Sequence, residues 1–522
     1  MDSRLGINVK SGSEMSYFFL GPALVFLGFL FLVPMVNLLL LGFQGFNHSI
    51  FQDTYLVYVI QFTYWQAFVS ASLSVLVGFL FAFLIKEWNV FGGKILWKCG
   101  LLCSSLPSII VALGILGSWG KQTTLFGWKG LLLGHVFLNF AIPLRLIGNA
   151  LSDRERTSEL TAQSLGMSRW GVFCNITISS IRPSLVSSWI LAFLYSSTSL
   201  FIVLFLGGGP RFTTLEVALY EAVKLNLDNG RAIQIALLQA GVGAFLFFFY
   251  LKLQKKTNLE SDRVDIQFFA PRRAWMKGLG GLCLWGLSFM CLGFPLVSIF
   301  VEGLGDWSFL DGAELLEAGL TTFAIATSVV VLSISILYPY LHYLYQVKPQ
   351  GETSGWIWLI AIPQFFSSLV VALALSVFFP LVREVSWLSY LAVVSTQTLF
   401  VIPLIQFPLR EGFLRMSKER NWIAQSLGAS GWQRWLWVEL PFMKRSLFLS
   451  ALIGFGFSMG EVISILLFSP PGIKTLAMGI FQAMSRYRFQ EARATTVVLL
   501  VVMISLFGIA GYLEDRDESS AR

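Results

Sequence analysis

A run of about 20 apolar residues is long enough to cross a bilayer as one helix, and this sequence holds about twelve such runs. They fall near 17–41, 61–85, 99–119, 130–150, 183–206 and 232–252, and then near 278–301, 319–345, 355–380, 386–409, 446–468 and 494–513. Inside lipid every backbone N–H and C=O must find its partner within the protein, so apolar runs of this length specify helices. Composition agrees: 56% of the 522 residues are hydrophobic, 13% are charged and the mean hydropathy is +0.71. Arg4 and Lys10 precede the first run, which is longer than a signal-peptide core and has no small-residue cleavage site after it. It reads as an uncleaved span. The expected fold is all-α, a polytopic membrane protein with about twelve transmembrane helices.

The net charge of +8 would suggest nucleic acid in a soluble chain, but in a chain of spans the sidedness of Lys and Arg carries the information. With the amino terminus inside, about 26 Lys and Arg fall in inside loops and about 10 outside, with Arg145 at a span end. The inside stretch 253–277 carries Lys255, Lys256, Arg263, Arg272, Arg273 and Lys277, whereas 302–318 carries five acidic residues and no Lys or Arg. Both termini are thus expected in the cytoplasm, with membrane lipid as surroundings and no nucleic-acid partner. Cys99, Cys103, Cys174, Cys283 and Cys291 sit in spans or on their cytoplasmic flanks, and none has zinc-ligand spacing to His48, His135 or His342. No metal site and no catalytic constellation is expected.

The chain also repeats itself. Ala162-Gln163-Ser164-Leu165-Gly166 returns, 262 positions later, as Ala424-Gln425-Ser426-Leu427-Gly428. Trp170 answers Trp432, Phe173 answers Trp435 and Ile176 answers Val438. A period this long marks a duplicated domain rather than a solenoid unit. Each copy follows a fourth span, and six spans per half give both halves the same orientation, a parallel repeat. The halves expected are 1–255 and 278–522, joined by a cytoplasmic linker at 256–277, where Pro271 interrupts any helix. Further echoes are Phe140-Ala141-Ile142-Pro143 with Phe400-Val401-Ile402-Pro403, and Val111-Ala112-Leu113 with Val371-Ala372-Leu373, so similar spans are expected to bend at similar places.

Each repeated loop, near 155–180 and 415–445, reads as a short helix, a glycine turn and a second amphipathic helix. Gly166 and Gly428 suit a helix end that needs a left-handed backbone. Trp170, Phe173 and Ile176 then form an apolar stripe on a segment too polar to insert, and such a stripe needs a covering surface. The protein's own span ends would serve, but duplication at equivalent positions favours a two-fold partner.

At these residues the loops resemble the cytoplasmic signature of binding-protein-dependent ABC importer permeases, Glu-Ala-Ala-x-x-x-Gly followed by Ile-x-Leu-Pro. Ala424, Gly428, Val438, Leu440 and Pro441 match in the second copy, and Ala162, Gly166, Ile176 and Ile178 in the first. The acidic position holds Leu160 and Trp422, the middle alanine is Thr161 and Ile423, and the proline is Ser179 in the first copy, so the copies are unequal. The resemblance implies a type I importer permease fold, with Ala162, Gln163, Leu165, Gly166, Trp170, Ala424, Gln425, Leu427, Gly428 and Trp432 contacting two ABC ATPase subunits, a homodimer. It also implies a periplasmic substrate-binding protein outside and residence in the bacterial inner membrane. The chain has no Gly-x-x-x-x-Gly-Lys-Ser/Thr loop, so it is expected to bind no cofactor and to hydrolyse nothing, with ATP and Mg on the partner ATPase.

A narrower similarity, to the fused permeases of bacterial thiamine importers, runs through 50–250. It is carried by Gln52-Asp53-Thr54-Tyr55-Leu56, Phe62-Thr63-Tyr64-Trp65-Gln66-Ala67-Phe68, Leu133-Gly134-His135-Val136-Phe137-Leu138-Asn139, Leu206-Gly207-Gly208-Gly209-Pro210 and Thr213-Thr214-Leu215-Glu216. It implies thiamine or its phosphate esters as cargo, with ferric iron as the alternative and an ion-driven secondary transporter as a more distant one. The helix after each loop is then expected to line the path, with Ser197, Ser199 and Glu461 as its candidates. An ionisable group deep in an apolar span costs about 3 kcal/mol on insertion scales and faces either a partner or water. Glu461 is therefore a path residue for a cation or a structural carboxylate between helices, and His135 an interhelical hydrogen-bonding group.

Overall fold

The computed structural model describes residues 20–44, 52–97, 100, 106–119, 126–154, 156–254, 274–347, 358–416, 423–468 and 473–520. The expected linker lies outside these residues except for 274–277, which are already helical; Cys99, Cys103, His48 and Trp422 lie outside them too.

The described chain is helical, with no strand. In order it forms α1 (Leu20–Gln44), α2 (Thr54–Lys86), α3 (Ser108–Trp119), α4 (Trp128–Asn139), α5 (Ala141–Asp153), α6 (Arg156–Ser164), α7 (Arg169–Ser197), α8 (Phe201–Leu206), α9 (Leu215–Tyr220) and α10 (Asn229–Gln254). Then come α11 (Ala274–Ser288), α12 (Phe294–Gly305), α13 (Gly312–His342), α14 (Ser368–Phe378), α15 (Ser386–Arg415), α16 (Trp432–Gly460), α17 (Ile463–Phe468), α18 (Leu476–Ser485) and α19 (Phe489–Ser520). All twelve expected spans contain helix. Eight helices are long and apolar enough to cross a membrane alone, namely α1, α2, α7, α10, α13, α15, α16 and α19, and α4 with α5 makes a ninth as a bent pair. The other three positions hold α3, α14 and the joined α11 and α12. The chain is an all-α, multi-pass membrane protein.

The α2 helix shows why apolar helices pack in a solvent as apolar as themselves. Its lipid-type residues Phe68, Leu76 and Leu80 are exposed, while Ala67, Ala71, Ser74, Gly78 and Ala82 form a buried stripe of small residues. Small residues let backbones approach closely, which is what drives association in lipid. A Cβ on Gly78 would lie 2.7 Å from both Phe140 O and Pro143 Cβ, so α2 sits directly on the junction of α4 and α5. Asp53 starts α2 by accepting from Tyr55 N at 3.0 Å and Leu56 N at 3.3 Å.

The two sequence halves share unmarked irregularities. Both first spans carry a five-residue π-turn just before a proline: Gly28–Leu32 precedes Pro34, and Phe289–Gly293 precedes Pro295. A proline has no N–H to give its helix, and the wider turn absorbs the mismatch. Matching bends fail elsewhere. The fourth span of the first half breaks by 41° at Phe140, whereas α15 runs unbroken through Pro403 and Pro408. The shared Ile-Pro therefore does not set the bend; the broken helix is the one that α2 presses on through Gly78.

By contacts the chain forms two compact units that do not follow the sequence halves. One comprises 1–43, 316–475 and 505–522, the other 44–315 and 476–504. Each unit takes its first helix from the opposite half. In the first, Phe29 and Phe31 of α1 meet Phe379 and Phe366 at 5.3 and 5.4 Å between ring centres. In the second, a Cβ on Gly114 of α3 would lie 3.1 Å from Ile299 and 3.2 Å from Pro295 of α12.

Candidate functional site

The repeated loops are repeated in geometry. In the first, α6 ends in a turn where Met167 N donates to Ala162 O and Gly166 N to Gln163 O, both at 3.0 Å. In the second, Ala429 N donates to Ala424 O at 3.1 Å and Gly428 N to Gln425 O at 3.0 Å. This is the paired pattern that closes a helix on a left-handed residue. Gly166 has φ +91° and Gly428 φ +81°, and a Cβ on either would meet nothing within 4 Å. Both glycines are thus required by the backbone rather than by a close neighbour.

The next helix restarts the same way. Ser168 Oγ accepts from Gly171 N at 3.1 Å, and Ser430 Oγ accepts from Gln433 N at 3.3 Å, with Gln433 Oε1 accepting from Ser430 N at 2.9 Å. That reciprocal pair is a capping box. One turn later both chains widen into a π-turn, Phe173–Thr177 and Trp435–Glu439, before the long part of the fifth span. The first copy does so with Ser179 where the second has Pro441, so the missing proline leaves the shape intact.

What the loops present is also the same. Leu165 is 83% exposed and Leu427 82%; Trp170 is 73% exposed and Trp432 69%. Trp170 stacks on its neighbour Phe173 at 5.5 Å and Trp432 on Trp435 at 4.8 Å. Gln163 and Gln425 are exposed, and Ala162 and Ala424 half-buried. The protein's own span end covers part of the stripe, since Phe173 packs on Phe79 and Phe83 of α2 at 6.4 and 5.7 Å, while Trp170 and Trp432 stay exposed. Two leucines and two tryptophans held out from ordered turns make a pair of compact apolar knobs.

Beneath the first loop lies a charged group that the repeat did not reveal. Arg154 Nε donates to Glu159 Oε1 at 2.7 Å, and its Nη2 lies 2.9 Å from Glu87 Oε1, all three side chains almost wholly buried. Glu159 Oε1 also accepts from Thr177 Oγ1 at 2.5 Å. Glu159 is one residue before the signature's acidic position, so the register of that motif pointed one residue past it. In the second copy the buried acid is Glu439, at the position of Thr177, with His342 Nε2 3.0 Å from its Oε2.

The candidate path residues fall at a second repeated feature. The fifth span breaks twice, after Ser197 at the end of α7 and after Gly460 at the end of α16, each time followed by a six-residue helix. Ser199 and Glu461 are both in these breaks, again 262 positions apart. A carboxamide from the fourth span pins each break: Asn139 Nδ2 donates to Ser196 Oγ at 2.9 Å, and Ser458 Oγ donates to Gln397 Oε1 at 2.5 Å. Ser197 Oγ turns back to Leu194 O at 2.8 Å, while Ser199 Oγ is buried with no hydrogen-bond partner among the described residues. Glu461 caps α17, accepting from Ile463 N at 3.0 Å, Ser464 N at 3.1 Å and the Ser464 hydroxyl, with Gln397 Nε2 at 3.4 Å. His135 is fully buried, its Nδ1 3.3 Å from Ser70 Oγ on α2, as an interhelical group should be.

The sequence is similar to those of known proteins. Residues 74–259, which include the whole first loop and the first break, match the family described as "Binding-protein-dependent transport system inner membrane component". Over 505 residues the chain is 28% identical to the thiamine transport system permease protein ThiP of Escherichia coli (strain K12), covering 90% of this chain and 91% of the relative. Its counterpart in Haemophilus influenzae (strain ATCC 51907 / DSM 11121 / KW20 / Rd) is 26% identical over 499 residues, with 90% and 91% covered. The putrescine transport system permease protein PotI of Escherichia coli (strain K12) is 29% identical over 170 residues, covering 31% of this chain and 59% of that protein. The family match reaches the first half, the full-length relatives extend the likeness through the second, and the doubled turns join the two. Part of the chain thus matches the inner-membrane components of binding-protein-dependent transport systems, and nine-tenths of it is similar to permeases of thiamine transport systems.

Proposed function

We propose that this chain is the permease of an ATP-driven thiamine importer, carrying thiamine or its phosphate esters from a periplasmic binding protein across the bacterial inner membrane. The observation that carries the reading is the doubled turn at Gly166 and Gly428, with matching exposed Leu165, Leu427, Trp170 and Trp432. A chain without its own nucleotide loop needs places to receive force, and two equal knobs suit the two equal subunits of an ATPase dimer. ATP and Mg would be held by that dimer. Lys and Arg bias supports cytoplasmic termini and a cytoplasmic side for both loops. On this reading the sequence halves 1–255 and 278–522 are the two permease domains.

The thiamine assignment rests on the relatives that match along nine-tenths of the chain and carry thiamine in their names, which disfavours ferric iron. The fifth spans line the path in this reading, with Ser197, Ser199 and Glu461 at or beside their breaks. Broken helices at a bilayer's midplane commonly frame transported groups, and a carboxylate suits a cationic cargo. Proteoliposomes holding the permease, its ATPase and thiamine-loaded binding protein test the proposal. Thiamine uptake should stop when ATP is removed and persist when the proton gradient is collapsed. Uptake that follows the gradient instead identifies a secondary transporter.

A further inference from the structure

Both loops stand out from the protein, and each is fastened by an acid. In α6, Glu159 is the only buried residue among those whose side chains are described. In the second copy no described residue from 423 to 438 is buried, and Glu439 is the first that is. Apolar contacts would be the usual anchor for a surface helix. Here a buried carboxylate contact is present in both halves, joined in the first by buried Val172 and by Phe173 packed on Phe79 and Phe83 of α2.

The two anchors run to the same place by different chemistry. Glu159 reaches Glu87, the residue that ends α2, through the Arg154 guanidinium. Arg154 is itself fixed by Nη1 donating to Leu151 O at 3.0 Å. Glu439 reaches His342, the last residue of α13, directly at 3.0 Å, with Arg434 Nε at 4.0 Å on the loop side. The α2 and α13 helices are the second spans of their respective halves. The first loop is therefore tied by a buried ion pair, and the second by a carboxylate–imidazole contact, to the end of the second span of its own half.

We propose that Glu159 with Arg154 and Glu87, and Glu439 with His342, are positioning groups that transmit movement of the loops to the second spans. The proposal rests on the reading that the loops receive the ATPase. A buried ion pair is weak evidence for stability, because desolvation offsets the attraction, but it holds a single geometry that sliding apolar contacts do not. A displacement of the loop helix therefore carries the end of the second span with it. Where the pair is neutralised, the loop still docks while the span lags.

The complex of permease, ATPase and thiamine-loaded binding protein in proteoliposomes gives the test, read as thiamine imported per ATP hydrolysed. Glu159→Gln, Glu439→Gln and His342→Gln should each co-purify with the ATPase and lower this ratio about 5-fold or more, the lower end of usual coupling factors. His342→Lys, which places a cation facing Glu439, should restore it. Binding-protein stimulation of ATP hydrolysis is a second readout that does not require import, and it should fall in the same three variants. A wild-type ratio in these variants, while Gly166→Leu and Gly428→Leu lose theirs, overturns the latches and leaves the loops standing. Wild-type ratios in all five variants overturn the loop reading as well. Failure of the glutamine variants to co-purify with the ATPase also counts against the proposal, since a positioning group should leave docking intact.

Discussion

Replacing Gly166 or Gly428 isolates backbone conformation from everything else at the loops. An added Cβ meets nothing within 4 Å at either site, so alanine creates no clash. What remains is the cost of a left-handed residue at φ +91° or +81°, about 1–2 kcal/mol, which lowers the population of the closed turn about 5- to 30-fold. Asparagine tolerates that region better and should recover most of the loss. Hydrogen exchange over 160–170 and 423–432 reads the turn, because Met167 N and Ala429 N donate the bonds that close it. Exchange should quicken about 5- to 30-fold in Gly166→Ala and Gly428→Ala and much less in the asparagine variants. Thiamine imported per ATP should fall in the same order. The sequence departures at Ser179 suggested unequal copies, yet the hydrogen bonds and φ values are the same in both, so the two alanine variants should be equally affected. Unchanged exchange in the alanine variants, or asparagine as harmful as alanine, refutes the reasoning.

Leu165→Asp and Leu427→Asp touch side chains that pack on nothing, so folding should be intact while ATPase binding weakens about 10-fold or more, the worth of burying one leucine; co-purification at graded detergent and salt measures it. Glu461→Ala leaves the first amides of α17 without their acceptor and should lower thermal stability by about 1 kcal/mol, as a lost helix cap does, whereas Glu461→Gln keeps an acceptor and should lower uptake more than stability. Equal uptake for wild type and Glu461→Gln at limiting thiamine would assign the residue to structure alone. Gly78→Ala forces a methyl to 2.7 Å from the Phe140 carbonyl and should cost about 1–3 kcal/mol, seen as a lower melting point and poor recovery in detergent.

Much of the fold was legible because lipid imposes one rule on every segment, that apolar length means helix. The windows near 61–85, 232–252 and 319–345 return as α2, α10 and α13, each beginning several residues earlier than its window. The glycine turns were legible too, since a left-handed residue at a helix end leaves few other choices. Breaks in the fifth span were not, because Leu200 to Leu206 and Val462 to Phe468 are as apolar as an unbroken helix. Glu461 looked like a charge inside a span and stands as the cap of a new helix. The exchange of first helices between compact units depends on contacts far apart in sequence, as for Phe31 with Phe366 and Gly114 with Ile299, and hydropathy carries no record of partners. Glu159 escaped notice because burial, not residue type, distinguishes it from the other acids of the loops.

The central claim is that the two repeated turns are where an ATPase engages the permease. Leu165→Cys and Leu427→Cys, at the most exposed point of each turn, allow short thiol cross-linking to the ATPase in the assembled complex. Each cysteine should cross-link to an ATPase subunit, and the complex so locked should hydrolyse ATP without importing thiamine. Full assembly with no cross-link at either position, beside normal ATP-driven uptake, would contradict the account.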